Sequence, residues 1–273
     1  MSIDHVLKLY SKTIQSSFLH YGFWDDPENV DLPSLSLQDI KNAQLRYIEH
    51  LASFIPEDTR TILDVGCGIG GNTSFLLKKG YLLEALSPDS YQKSVIKQKF
   101  GEKVVFHHCK FENFKPQSFF DLILESESAC YIDIDKGFKK AREILKEGGY
   151  LLASDYFVFY KDHSKNLHLK SSHDMNIYLD RAKKNGFDII KQYDQTDNTM
   201  ITLDYAKYFI ERFINPTIDY GVYSANKNFP TISKLLGFFA QKKWRQKQSQ
   251  LDLINSDLFR KYRKYMIYLF KKI

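Results

Sequence analysis

Cysteine is scarce in this chain. There are three, Cys67, Cys109 and Cys130, an odd number with no Cys-x-x-Cys pair. That excludes a disulfide framework and a cysteine-based zinc site, and it suits a reducing compartment. The segment Met1–Gln15 has no basic stretch leading into an apolar one, so it does not read as a signal peptide. No apolar run approaches the roughly 20 residues of a membrane-spanning helix. The expectation is a cytoplasmic protein with no integral membrane association. Neither a Gly-x-Ser-x-Gly elbow nor a lysine-bearing phosphate loop is present. His163, His168 and His173 are spaced by five residues and share no helix face, so no metal site is expected. The net charge of +6 is mild for 273 residues. Its densest basic run, Lys242 to Lys247, reads as a solvated helix face, so nucleic acid is not an expected partner.

What the chain does have is aromatic side chains, with 18 Tyr and 21 Phe, more than a core alone calls for. It also has a clear change of rhythm. Residues 3–19 and 37–54 carry apolar groups at helical spacing, with a turn-rich stretch between them. From residue 61, short apolar runs alternate with helical patterns. Strands are expected near 61–65, 81–86, 104–106, 120–124, 150–154 and 187–193, with helices near 70–79, 88–100, 134–145 and 175–185. Such alternation builds right-handed crossovers on a parallel sheet covered on both faces. Residues 199–258 break the rhythm and read as mostly helical. Residues 264–272 read as a strand too apolar for a sheet edge. The expected division is residues 1–56 as N-terminal helices and an aromatic lid, 57–198 as a Rossmann-like α/β core, 199–258 as a helical cap and 259–273 as the last strand of the core sheet.

The segment Leu63-Asp64-Val65-Gly66-Cys67-Gly68-Ile69-Gly70-Gly71 is the most informative. A strand runs into glycines that permit a tight turn and close approach of a ligand to the backbone. Open α/β sheets bind ligands at that edge. Gly66, Gly68 and Gly71 satisfy the dinucleotide pattern G-x-G-x-x-G, and Glu84 lies near its acidic position, so an NAD-dependent oxidoreductase is one reading. Asp64, inside the strand just before the turn, favours a cationic amino-acid ligand over a pyrophosphate.

This segment resembles motif I of the class I S-adenosylmethionine (SAM)-dependent methyltransferases. Phe120 to Leu124 resembles that family's fourth strand, and Leu145-Lys146-Glu147-Gly148-Gly149-Tyr150-Leu151 its entry to strand five. The resemblance implies a seven-stranded sheet in the order 3-2-1-4-5-7-6 with strand seven antiparallel, and SAM as cofactor. A narrower resemblance is to the small-molecule branch that holds tocopherol, sarcosine/dimethylglycine and natural-product methyltransferases, related to the cyclopropane fatty acid synthases. It rests on Tyr10 with His20-Tyr21-Gly22-Phe23-Trp24, on Leu86-Ser87-Pro88, and on Glu125-Ser126-Glu127-Ser128-Ala129-Cys130-Tyr131. The resemblance implies cofactor contacts from Tyr10, Tyr21, Asp64, Gly66, Gly68, Gly70, Leu86, Ser87, Phe111, Glu112 and Glu125. It implies Glu127, His20 or Tyr131 as the group nearest the acceptor. Three positions depart from the pattern: Ala85 where many relatives place the ribose-binding acid, Lys110 at the usual acidic position after strand three, and Tyr131 where the branch often has His. The N/D-P-P-Y/F motif of nucleic-acid methyltransferases is missing. The implied reaction is methyl transfer to an oxygen, nitrogen or carbon of a small, partly hydrophobic molecule. A non-catalytic protein of the same fold stays open, as does a monomer or a homodimer.

Overall fold

The computed structural model describes residues 15–159, 172–229 and 254–273. Eight strands form one sheet: β1 (Thr61–Val65), β2 (Leu82–Leu86), β3 (Val105–His107), β4 (Phe120–Ser126), β5 (Leu145–Val158), β6 (His173–Asp174), β7 (Phe187–Asp194) and β8 (Arg263–Lys272). Their order is β3-β2-β1-β4-β5-β8-β7, with the two-residue β6 pairing the far end of β5. Apart from that short addition, this is the expected topology. The strand from the chain's end lies between β5 and β7 and is antiparallel to both. Its apolar body, Tyr265 to Phe270, is buried on both faces, which explains why it does not sit at an edge.

Helices cover both faces. They are α1 (Leu37–Ala52), α2 (Gly71–Lys78), α3 (Ser90–Phe100), α4 (Ile134–Ile144), α5 (Met175–Lys184), α6 (Thr196–Phe209), α7 (Asn215–Asn228) and α8 (Ser256–Tyr262). Local chemistry sets several starts. Ser36 and Asp39 form a capping box at α1, and the Asp89, Asp133 and Asp174 side chains accept N–H groups at the starts of α3, α4 and α5. Alternate residues of each strand feed two cores. Leu63, Ile123, Leu151 and Phe270 pack under α4 and α5, while Ile62, Leu124, Leu152 and Ile267 pack under α1 and α6. Phe270 is fully buried, with rings of Phe138, Tyr178 and Tyr268 within about 6 Å. Truncation to Ala should cost about 3–5 kcal/mol, read as a lower urea midpoint with an unchanged slope.

Three boundaries differ from expectation. Residues 15–19 are not helical; with residues 20–24 they form an extended strap. β5 starts directly after α4 at Leu145 and runs to Val158, rather than covering 150–154. Gly148 and Gly149 lie in a bulge between the Phe120–Leu145 and Leu122–Tyr150 pairs. Of the expected cap, residues 199–228 are helical, in a helix that already starts at Thr196, with a π turn at Ile210–Ile214, and residues 230–253 lie outside the described residues.

Candidate functional site

The chain order places a topological switch at β1, with β2 on one side and β4 on the other. A cavity of about 550 Å³ opens there, at the carboxyl ends of the parallel strands. The loop after β1 forms its floor. Gly66, Gly68 and Gly70 all have positive φ, and the Gly66 N–H donates to the Leu86 carbonyl at 2.8 Å. The loop after β4 closes down on it, with the Ser128 hydroxyl donating to the Val65 carbonyl at 2.6 Å.

The strap crosses the glycine loop. A Cβ on Gly71 would meet the Ser17 carbonyl oxygen and the Phe18 ring at 2.5 Å, so glycine is needed there for close approach rather than for torsion. Long-range bonds hold the strap. Gln44 of α1 donates to the His20 carbonyl at 2.8 Å, the Gly22 N–H donates to the Thr202 hydroxyl at 3.0 Å, and the Trp24 N–H donates to the Asn198 carbonyl at 2.9 Å.

His20 is buried and stacks on Tyr47, with ring centres 4.1 Å apart. Burial pushes its pKa down to about 4, so the ring is neutral with one N–H. Nδ1 lies 2.8 Å from the Tyr21 carbonyl and donates to it. Nε2, 3.0 Å from the Asn72 side-chain amide, then accepts, which turns the amide NH2 toward the ring. Both nitrogens are committed to holding the strap. His20 lines the cavity, but it has no free nitrogen to offer as a base.

Glu127 does have a free oxygen. Its backbone is left-handed, with φ +52°, and its N–H donates to the Ser154 carbonyl at 2.8 Å. Such a conformation in a non-glycine residue costs of order 1–3 kcal/mol and concentrates at functional sites. Its Oε1 accepts from the Tyr21 N–H at 2.8 Å and from the Tyr265 hydroxyl at 2.6 Å. Oε2 takes no bond among the described residues, and the side chain lines the cavity. Burial raises its pKa to about 7, against the two hydrogen bonds that lower it. Since Tyr265 gives its proton to Glu127, its oxygen accepts from Tyr47 at 3.0 Å. Tyr47 in turn accepts from Ser154 at 2.6 Å, and Ser154 from the Gln195 amide at 2.8 Å. A buried donor chain from α6 and β5 thus ends on Glu127.

Of the other expected residues, Gly66, Gly68, Leu86, Ser87, Phe111, Glu112 and Tyr131 are on the cavity wall. Tyr131 is 74% exposed and sits at the rim. Four described positions fall elsewhere. Asp64 lies behind the loop and accepts the Thr73 hydroxyl at 2.6 Å; burial pushes its pKa up to about 6. Gly70 starts α2 beneath Ile96 and Phe100. The Tyr21 ring packs on Tyr265, and only its backbone reaches Glu127. Glu125, 4% exposed, faces a separate void of about 10 Å³ beside Tyr178. Burial first, then Asp155 and Glu112, push its pKa up to about 8. Tyr10 lies outside the described residues. The aromatic lid divides as well: Phe23 is core, stacked on His50 at 4.2 Å, and the strap residues on the cavity are Ser17 to His20.

Asn72 and Gln92 are among the cavity residues that went unread in the sequence. Asn72 could have been found as the polar residue just inside the helix that follows the glycines. Gln92 projects from the first turn of α3, and its buried Oε1 has no hydrogen-bond partner among the described residues.

A Rossmann-like sheet of this order, with a glycine-floored cavity at its switch point, is the arrangement that the resemblance to class I methyltransferases implied. Residues 63–153, about a third of the chain, match the family described as a methyltransferase domain. Among curated proteins, the chain is 30% identical over 140 residues to a chloroplastic protein of Oryza sativa subsp. japonica described as a probable tocopherol O-methyltransferase, covering 46% of this chain and 37% of that one. It is 25% identical over 149 residues to methyltransferase GfsG of Streptomyces halstedii, 51% of each. The chain therefore spans about half the length of these relatives or less. Among solved structures, a Galdieria sulphuraria protein described as a sarcosine dimethylglycine methyltransferase superposes with a TM-score of 0.72 at 17% identity, over 98% of both chains. Geranyl diphosphate C-methyltransferase of Streptomyces coelicolor A3(2) superposes with a TM-score of 0.66 at 15% identity, over 94% of this chain and 88% of that one. These likenesses establish the fold. Among the described residues no helix is long and apolar enough to cross a membrane, and no cluster of candidate metal ligands occurs.

Proposed function

We propose that this chain transfers a methyl group from SAM to a small, partly hydrophobic molecule. One observation carries the reading: a single cavity has the glycine loop as its floor and Glu127, with a free carboxylate oxygen, on its wall. Its volume of about 550 Å³ falls in the range of small-molecule sites. The residues present fit the cofactor. The unpartnered Gln92 Oε1 calls for a donor from a ligand, and a nucleoside supplies hydroxyls and an amino group. Gly66, Gly68, Ser87, Gln92, Phe111 and Glu112 would hold it. SAM supplies a methyl already activated on a sulfonium, so the protein needs no covalent nucleophile.

The chain's own residues then orient and exclude water. The strap, latched to α1, α2 and α6, covers the glycine loop. Glu127 Oε2 receives the proton of a hydroxyl or ammonium acceptor. Tyr131 stands at the mouth, where it can touch an entering acceptor.

Titrating the chain by calorimetry with S-adenosylhomocysteine and with NADH tests the assignment. We expect binding of the first and none of the second; the opposite pattern would restore the oxidoreductase reading. A mass-spectrometric screen with SAM and candidate phenols, amines, acids and isoprenoids should return one product heavier by a methylene. Gln92→Ala should weaken S-adenosylhomocysteine roughly tenfold, the worth of one buried hydrogen bond, while leaving the thermal midpoint nearly unchanged. Unaltered affinity would take Gln92 out of the cofactor site.

A further inference from the structure

Among the described residues, Arg263 is a guanidinium without an acceptor. It is the first residue of β8, partly buried, and its side chain makes no hydrogen bond or ion pair with any of them. Its neighbours on β8 differ: Lys264 pairs with Asp194 at 2.7 Å, and Lys272 pairs with Glu147 at 2.8 Å. Arg263 instead lies against two rings, 5.3 Å from the centre of Tyr156 and 5.5 Å from that of Phe259. Those contacts satisfy the faces of a cation but none of its five N–H donors. Burying such a group without an acceptor is costly, and burial pulls its pKa below the usual arginine value.

Its position gives the cost a purpose. β8 runs antiparallel, so its first residue sits at the same edge as the carboxyl ends of the parallel strands, with Arg263 opposite Val158. Arg263 and Tyr265 share a face of the strand, two residues or roughly 6.6 Å apart. The Tyr265 hydroxyl holds Glu127, and the Tyr156 ring bridges the two residues, 6.3 Å from the ring of Tyr265.

We propose that Arg263 anchors an anionic oxygen group of the methyl acceptor, a carboxylate or a phosphate, while the acceptor's apolar body lies along Tyr156 toward Glu127. This rests on the methyltransferase reading for the word acceptor, but the oxyanion site stands on the arginine alone. The guanidinium presents paired N–H groups that suit either anion.

The test uses the full chain saturated with S-adenosylhomocysteine, titrated with octanoate, octyl phosphate and octanol. One of the two anions should bind at least roughly tenfold tighter than octanol, as charge-assisted hydrogen bonds imply. Preference for octanoate marks a carboxylate acceptor, and preference for octyl phosphate a phosphate. Arg263→Met, which keeps the length and stacking surface, should bring the preferred anion down to the octanol level. Its affinity for S-adenosylhomocysteine should match that of the wild type. Arg263→Lys should recover part of the anion preference. If neither anion outbinds octanol, or Arg263→Met binds the anion as tightly as the wild type, the proposal is wrong. Should S-adenosylhomocysteine itself fail to bind, the methyltransferase reading falls. The same three ligands, titrated into the unloaded chain, then judge Arg263 separately.

Discussion

Replacing Gly66 with Ala is expected to abolish measurable binding of S-adenosylhomocysteine and to lower stability by roughly 1–3 kcal/mol. Two separate costs add. The residue has φ +73°, and a side chain held in that region costs of order 1–2 kcal/mol. The new Cβ would also run into the Ser128 side chain, which lies directly over it. Ser128 cannot simply swing aside, because its hydroxyl closes the β4 loop onto the Val65 carbonyl. The loop after β1 must therefore shift, and with it the floor that a ligand would touch. Gly80→Ala separates the two costs. That glycine has φ +93° but nothing within 4 Å of the point a Cβ would occupy, and it lies away from the cavity. Its variant should lose about 1 kcal/mol, the torsional cost alone, and bind like the wild type. If Gly66→Ala binds S-adenosylhomocysteine within twofold of the wild type, the glycine floor is not the cofactor site.

Much of this fold was legible in the sequence because periodicity reports what each element buries. The run of Thr61 to Val65 into glycines, and the apolar body of Tyr265 to Phe270, each have one economical placement in a parallel sheet with an inserted antiparallel strand. The extent of β5 was not legible. Gly148 and Gly149 punctuate a bulge inside the strand, and the strand is prolonged to Val158 by pairing with β8, a partner more than a hundred residues away. Sequence also separates what the site joins. Tyr265 is 138 residues from Glu127 along the chain, and only the sheet order brings their side chains to 2.6 Å. Alternation explains the misplaced acids. Glu125 and Glu127 share a motif, yet Glu125 still lies in β4 and points into the core, while the left-handed turn at Glu127 redirects the next carboxylate to the cavity. Asp64 likewise lies within β1, and its oxygen is spent on Thr73. Motif resemblance located the loop; backbone geometry decided which carboxylate faces the cavity.

Glu127→Gln should cut turnover by roughly 10²–10⁴-fold, the usual worth of a general base, while making the folded chain more stable at alkaline pH. The two effects have one cause. Burial raises the Glu127 pKa from 4.5 to about 7, so the folded state holds this proton more tightly than the unfolded state does. The stabilising contribution is therefore complete below pH 4.5 and is lost as pH rises toward 7, by at most about 1.4 kcal/mol per pKa unit. Buried Asp64 and Asp155, both raised to about 6, act with the same sign. The substituted amide would keep an oxygen for the Tyr21 N–H and the Tyr265 hydroxyl but carries no charge to desolvate. Urea unfolding at about pH 5 and about pH 8, on either side of the raised pKa, should thus show a smaller loss for Glu127→Gln than for the wild type. Catalysis runs the other way: the acceptor proton needs an ionised Oε2, so kcat should rise with pH through about 7 and then level. Tyr265→Phe removes a bond that favours the carboxylate, so the rising limb should move to higher pH while S-adenosylhomocysteine affinity holds. A merely structural Tyr265 would lower the activity at every pH without moving that limb, and a Glu127→Gln enzyme that keeps a tenth of the wild-type turnover would show that the proton leaves by another route.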